Sequence, residues 1–182
     1  MIMFYRYSSL TLILLAFWTG SMGQSFDYNF NWSRNSGPNI ISSANTLAVD
    51  SLGYSYVAGS FTGGYMSLGS LSFNAIAPTY IAKLNPNGTP KWLKAFGTNE
   101  YALINKLKLD RSGNILLAGF FTSSTLTLGS HSVSNVSTGQ EDAFMAKLDT
   151  AGNCVWLKSI GGINHDVIND FVVHQNNKIE FV

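Results

Sequence analysis

Asn114-Ile115-Leu116-Leu117-Ala118-Gly119-Phe120-Phe121-Thr122 repeats, 60 positions on, the pattern of Tyr54-Ser55-Tyr56-Val57-Ala58-Gly59-Ser60-Phe61-Thr62. The run from Ile115 to Phe121 does not alternate, so both of its faces are apolar, and a strand buried on both sides belongs to a sheet held between other sheets. Ala-Gly recurs at the same place in both copies. A missing side chain there lets another backbone or sheet come close.

Outward from this stretch the match continues. Trp92, Gly97, Asn105, Asp110, Gly113 and Leu128-Gly129-Ser130 retrace Trp32, Gly37, Asn45, Asp50, Gly53 and Leu68-Gly69-Ser70, and a spacing of 60 is followed by one of 64 between Trp92 and Trp156. Tandem units of that length cannot each bury their own apolar faces and must stack on their neighbours. The second unit holds four runs of strand length: Asn105 to Asp110, Asn114 to Phe121, Asp142 to Asp149 and Cys154 to Ile160. The first two join across Asp110-Arg111-Ser112-Gly113 and the last two across Asp149-Thr150-Ala151-Gly152. In each, an Asp bonds the backbone ahead of it and a Gly takes positive φ, which is turn chemistry for a hairpin. Pro90 opens the Trp92 run, and proline in a sheet favours an edge strand or a strand start. Two hairpins in series, at a period of about 60, describe a four-stranded antiparallel blade. A β-solenoid has shorter coils and lacks this order of hairpins. The fold expected is all-β: a partial, truncated β-propeller of four-stranded blades.

The composition agrees. Apolar residues make up 46% of the 182 and charged residues only 12%, with 17 glycines, which suits strands and polar turns. A net charge of +1 without a basic cluster gives no footprint for nucleic acid or an anionic membrane. Arg6, the apolar stretch Leu10 to Trp18 and the small residues of Ser21-Met22-Gly23 read as a secretory signal over residues 1–23, with Gln24 starting the mature chain and no membrane span after cleavage. Cys154 stands alone, so no intrachain disulfide staples the fold.

The run Ala143-Phe144-Met145-Ala146-Lys147-Leu148-Asp149, through Asn153, Trp156, Lys158 and Gly161-Gly162, resembles the SBBP (seven-bladed β-propeller) repeat of secreted bacterial proteins. The resemblance covers Trp32 to Val182; Tyr54 and Thr98 depart from the pattern. It implies a secreted or cell-surface protein, often one using the type IX secretion route with a C-terminal sorting domain. No such domain is recognisable here. The organisation expected for 24–182 is an incomplete propeller, with units at about 45–97 and 105–161, a partial unit at 169–182 and an orphan outer strand at 30–37. Val182 falls opposite Ala118, inside a strand, so open sheet edges and self-association are expected of residues 24–182 alone.

No catalytic constellation emerges. No pair of carboxylates is singled out for glycoside chemistry, the turn Asp residues lack a calcium-loop pattern, and His131, His165 and His174 have no metal-ligand spacing. No cofactor, metal or catalytic residue is therefore expected. Between Gly97 and Asn105, and between Gly161 and Asn169, a fixed spacing of eight carries different contents: Asn99, Glu100 and Tyr101 in one, Asn164, His165 and Asp166 in the other. Variable loops on a repeated frame are how repeat proteins display a binding face. A second variable loop lies between Gly129 and Lys147. The expected function is a non-enzymatic extracellular binding scaffold for an unknown protein or glycan ligand. The alternatives are part of a polysaccharide hydrolase or lyase, or a structural module of an adhesin.

Overall fold

In the computed structural model, which describes residues 42–61, 64–74, 79–96 and 101–181, the chain turns back where the sequence places Asp and Gly. The Asp110 carboxylate accepts the backbone N–H groups of Ser112 (2.8 Å) and Asn114 (2.9 Å), and the Asp110 carbonyl accepts the N–H of Gly113 (3.0 Å), which sits at φ 77°. Asp50 and Asp149 repeat the arrangement. Tyr54, the departure from the repeat pattern, leaves its turn intact: its N–H still bonds Asp50 at 2.9 Å. In the third unit His174 replaces the Asp, and the left-handed position falls to Asn177 (φ 63°), a residue that tolerates it.

Fourteen strands lie among the described residues. β1 (Ser42–Val49), β2 (Ser55–Phe61), β3 (Tyr65–Leu68), β4 (Leu71–Asn74), β5 (Thr79–Leu84) and β6 (Pro90–Phe96) belong to the first unit. β7 (Ala102–Leu109), β8 (Ile115–Phe121), β9 (Thr125–Leu128), β10 (His131–Ser134), β11 (Asp142–Leu148) and β12 (Cys154–Ile160) belong to the second. β13 (Phe171–Val173) and β14 (Ile179–Phe181) begin a third. Two four-stranded antiparallel sheets run β1-β2-β5-β6 and β7-β8-β11-β12, and β13 pairs with β14 as β7 pairs with β8. These are propeller-type blades, each ending on the Trp strand at its outer edge. The expected signal segment 1–23, the expected orphan strand 30–37 and residues 97–100 at the start of the first variable loop lie outside the described residues.

One detail differs from the sequence-based expectation, and a second meets it by way of a neighbouring backbone. Each blade carries a small extra hairpin, β3-β4 or β9-β10, between its second and third strands, lying against the outer strand of the same blade. The second variable loop therefore begins with the second strand of a hairpin, β10. The Ala-Gly pair, for its part, makes room inside its own sheet. β1 and β7 each carry a β-bulge, between Ala44 and Thr46 and between Ile104 and Lys106. The bulge drives a carbonyl across the glycine: a Cβ on Gly119 would stand 1.9 Å from the Leu103 oxygen, and one on Gly59 1.8 Å from that of Ser43.

The blades meet over an apolar layer. Tyr56, Ala58, Ile81 and Phe96 from the first face Ile104, Leu117, Phe121 and Phe144 from the second, with the rings of Phe96 and Phe144 5.3 Å apart. The opposite face of the second blade, Leu116, Ala118 and Met145, buries Ile168 and Phe171 of the third unit. This is why the Ile115–Phe121 run is apolar on both sides. The bulged asparagines tie the inner strands together in the same way twice. Asn45 Nδ2 donates to the Ile104 carbonyl (3.4 Å), and Asn105 Nδ2 to the Ile168 carbonyl (3.1 Å).

Candidate functional site

The antiparallel order sends the turns after β1, β5, β7 and β11 to one end of the blades and the longer connections to the other. Of the predicted recognition residues, Tyr101, Asn164, His165 and Asp166 belong to the second end. Asn99 and Glu100 lie outside the described residues. Tyr101 is half exposed (50%), its ring 6.0 Å from that of Phe120, and its carbonyl accepts the Thr122 N–H at 3.0 Å. The Thr122 carbonyl in turn accepts Gly139 N–H at 3.2 Å, so the loop before β7 is laced to the one before β11. Asn164 is exposed, while His165 and Asp166 dock on that same central loop. His165 Nδ1 is 3.4 Å from a Glu141 carboxylate oxygen, and Asp166 N–H donates to the Glu141 carbonyl at 2.6 Å. Asp166 also closes its own loop by accepting Gly162 N–H at 2.8 Å. The side chains of His165 and Asp166, neighbours in sequence, each have a separate partner.

Asp142 is the residue of this end that sequence reading passed over as a plain strand start. Its side chain is fully buried; Oδ2 accepts Val136 N–H at 2.8 Å and Oδ1 has no hydrogen-bond partner. Gly161 closes over it, since a Cβ there would come 2.5 Å from the carboxylate carbon. The available signal was that the first unit carries Pro78 in the matching position. Among the described residues no group of three or more His, Cys, Asp or Glu is placed to hold a metal ion.

At the tight-turn end, a cleft of about 450 Å³ opens between the two blades. Asp50, Tyr54, Tyr56, Lys83 and Lys91 line it from the first blade and Arg111 from the second. Lys83 Nζ lies 4.5 Å from the Tyr54 ring centre and 4.6 Å from that of Tyr56, and Lys91 Nζ 4.7 Å from Tyr54. Tyr56 is buried and donates to Asp50 Oδ2 at 3.2 Å; burial first, and then the Asp50 charge, push its hydroxyl pKa up to about 12. Burial lowers the Lys83 pKa, with Asp50 opposing that shift and the Lys91 charge adding to it. The matching position at the next blade boundary is a gap of about 80 Å³, where Lys147 is paired with Asp110 at 2.8 Å. Sequence reasoning missed the cleft because its residues come from turns some 60 positions apart.

No family model matches the chain. An uncharacterised WD repeat-containing protein of Acanthamoeba polyphaga mimivirus is 27% identical over 96 residues, which are 50% of this chain and 7% of that relative. The chain thus spans only a small part of the curated relative it matches. WD repeats are four-stranded propeller blades of about 40 to 45 residues. The similarity and the sheets agree on a β-propeller-like repeat, here lengthened by the extra hairpin of each blade.

Proposed function

We propose that this chain is a non-enzymatic, exported binding scaffold of SBBP-like blades that presents unlike loops on a repeated frame to an extracellular protein or glycan. The observation that carries the reading is the contrast between frame and loops. The Asn45 and Asn105 links, the bulges and the turn bonds recur from unit to unit. The segment that holds the Asn135–Glu141 loop, laced to Tyr101 on one side and to His165 and Asp166 on the other, is four residues longer in sequence than its counterpart between Gly69 and Lys83. A fixed frame with locally altered loops is the economy of repeat-protein recognition. The likeness to a WD repeat protein supports a propeller-type frame, and the short apolar segment after Arg6 supports export with Gln24 as the mature first residue.

The test is an array of extracellular proteins and glycans probed with the secreted full chain and with two double variants, Glu100→Ala/Tyr101→Ala and His165→Ala/Asp166→Ala. The reading expects a ligand whose binding falls at least about tenfold in one of the variants, with thermal unfolding as the control for folding; losing the Asp166 bond to Gly162 is expected to cost about 1 kcal/mol. Release of reducing ends from a polysaccharide on the array would replace it with the hydrolase reading. Binding unaltered in both variants would remove the loops from the account.

A further inference from the structure

We propose that the cleft between the first two blades binds a sugar that carries a carboxylate, a uronic-acid residue of an acidic glycan, through Lys83, Lys91 and Arg111. The proposal rests on the scaffold reading but uses the opposite end of the blades, and it begins from a charge imbalance. Three cations line the cleft against one carboxylate, Asp50, in a chain whose net charge is only +1. Asp50 is already engaged, accepting the N–H groups of Leu52 (3.0 Å) and Tyr54 (2.9 Å) and the Tyr56 hydroxyl (3.2 Å). Lys83, 6% exposed, meets two aromatic rings and has no salt-bridge partner among the described residues. Two like charges held over the Tyr54 ring are each stabilised by a bound anion, and more so where water is partly excluded.

The next blade boundary makes a natural comparison. There Lys147, the counterpart of Lys83, is neutralised by Asp110, and the positions of Tyr54, Tyr56, Lys91 and Arg111 are held by Asn114, Leu116, Val155 and Gln175. The gap shrinks from about 450 to about 80 Å³. Four substitutions at matching positions thus open one boundary, remove its internal ion pair and add two cations. A structural contact would be expected to repeat as the frame does; this one departs from it in a coherent direction.

Size and lining choose among anions. A lone phosphate or carboxylate would leave most of 450 Å³ empty. The remaining wall carries the hydroxyl side chains Ser51, Ser112 and Thr150, donors and acceptors suited to the hydroxyls of a sugar ring. Lys91 and Arg111 are exposed at the rim, where they meet an incoming anion first. The ammonium groups of Lys83 and Lys91 already lie over the Tyr54 ring, so charge rather than stacking of a neutral sugar drives recognition.

The experiment is isothermal titration calorimetry of the full chain with trigalacturonate, and in parallel with neutral galactotriose, inorganic phosphate and triglutamate. Trigalacturonate is expected to bind, more weakly as salt rises. Galactotriose, phosphate and triglutamate are expected to bind at least about tenfold more weakly. Lys91→Gln/Arg111→Gln should lose roughly tenfold or more in trigalacturonate affinity, and Arg111→Glu alone should do the same, with thermal unfolding as the control for folding. Phosphate binding as well as the trisaccharide would make this a plain anion site, triglutamate binding as well would make it a peptide site, and equal binding by both variants would place the contact elsewhere. Each outcome overturns the proposal. Failure of the trisaccharide together with loop-dependent binding on the array would overturn the cleft proposal alone and leave the scaffold reading standing.

Discussion

Gly119 sits where the bulge in β7 presses the Leu103 carbonyl against it, and Gly59 repeats the contact under Ser43. Neither has room for a methyl group, because the obstructing atom is backbone rather than a yielding side chain. Gly119→Ala is therefore expected to destabilise by about 1 to 3 kcal/mol or more in urea unfolding. Gly139, with nothing within 4 Å and φ 91°, should cost only about 1 kcal/mol from backbone strain. Equal effects at the two sites would mean that the bulge contact is wrong. Asp110 offers a second residue-scale test. Burial works to raise its pKa, but hydrogen bonds from Lys147 and Asn114 and from the backbone N–H groups of Asn114 and Ser112 prevail and leave it below the ordinary carboxylate value. A depressed folded pKa contributes stability that is complete above the unfolded value near 4 and is lost as pH falls through the folded one. Asp110→Asn should thus cost about 1 to 3 kcal/mol at pH 7 and progressively less below pH about 4. A constant difference across that range in denaturation curves would contradict the ion pair.

Strands and turns were legible where their chemistry is local. The Cys154–Ile160 run is β12 residue for residue, Pro90 begins the outer strand as expected, and each Asp-to-Gly turn forms from its own side-chain bonds. The extra hairpins escaped notice because their strands have four residues each and turn through Leu-Gly-Ser, which lacks the Asn-Gly or Asp-Gly signal. The purpose of Ala-Gly was half visible: the sequence marks a close approach, but the bulge that creates it follows from pairing with another strand. Of the candidate site, the loop contents could be seen to vary, yet the docking of His165 on Glu141 joins two different loops of the chain. The cleft was hidden for a related reason. Its signal was a set of mismatches between repeats that are neighbours in space: Tyr54 against Asn114, read only as a departure from the pattern, and Lys91 against Val155, which was not remarked.

At the scale of the molecule, the central claim is that successive repeats are blades laid face to face, with their first strands side by side. The apolar layer between Phe96 and Phe144 says so in bulk, but one hydrogen bond says so by residue. β7 is the edge strand of its sheet, and the Leu107 N–H donates across the boundary to the Thr46 hydroxyl of β1 at 3.0 Å. Amide hydrogen exchange at Leu107, followed by NMR in the full chain and in Thr46→Val, which keeps the shape and removes the acceptor, reads this bond directly. The account predicts a slowly exchanging Leu107 amide that speeds up by roughly tenfold in the variant while the Leu117 amide keeps its rate. Equal exchange at Leu107 in both proteins would contradict blades packed in this register.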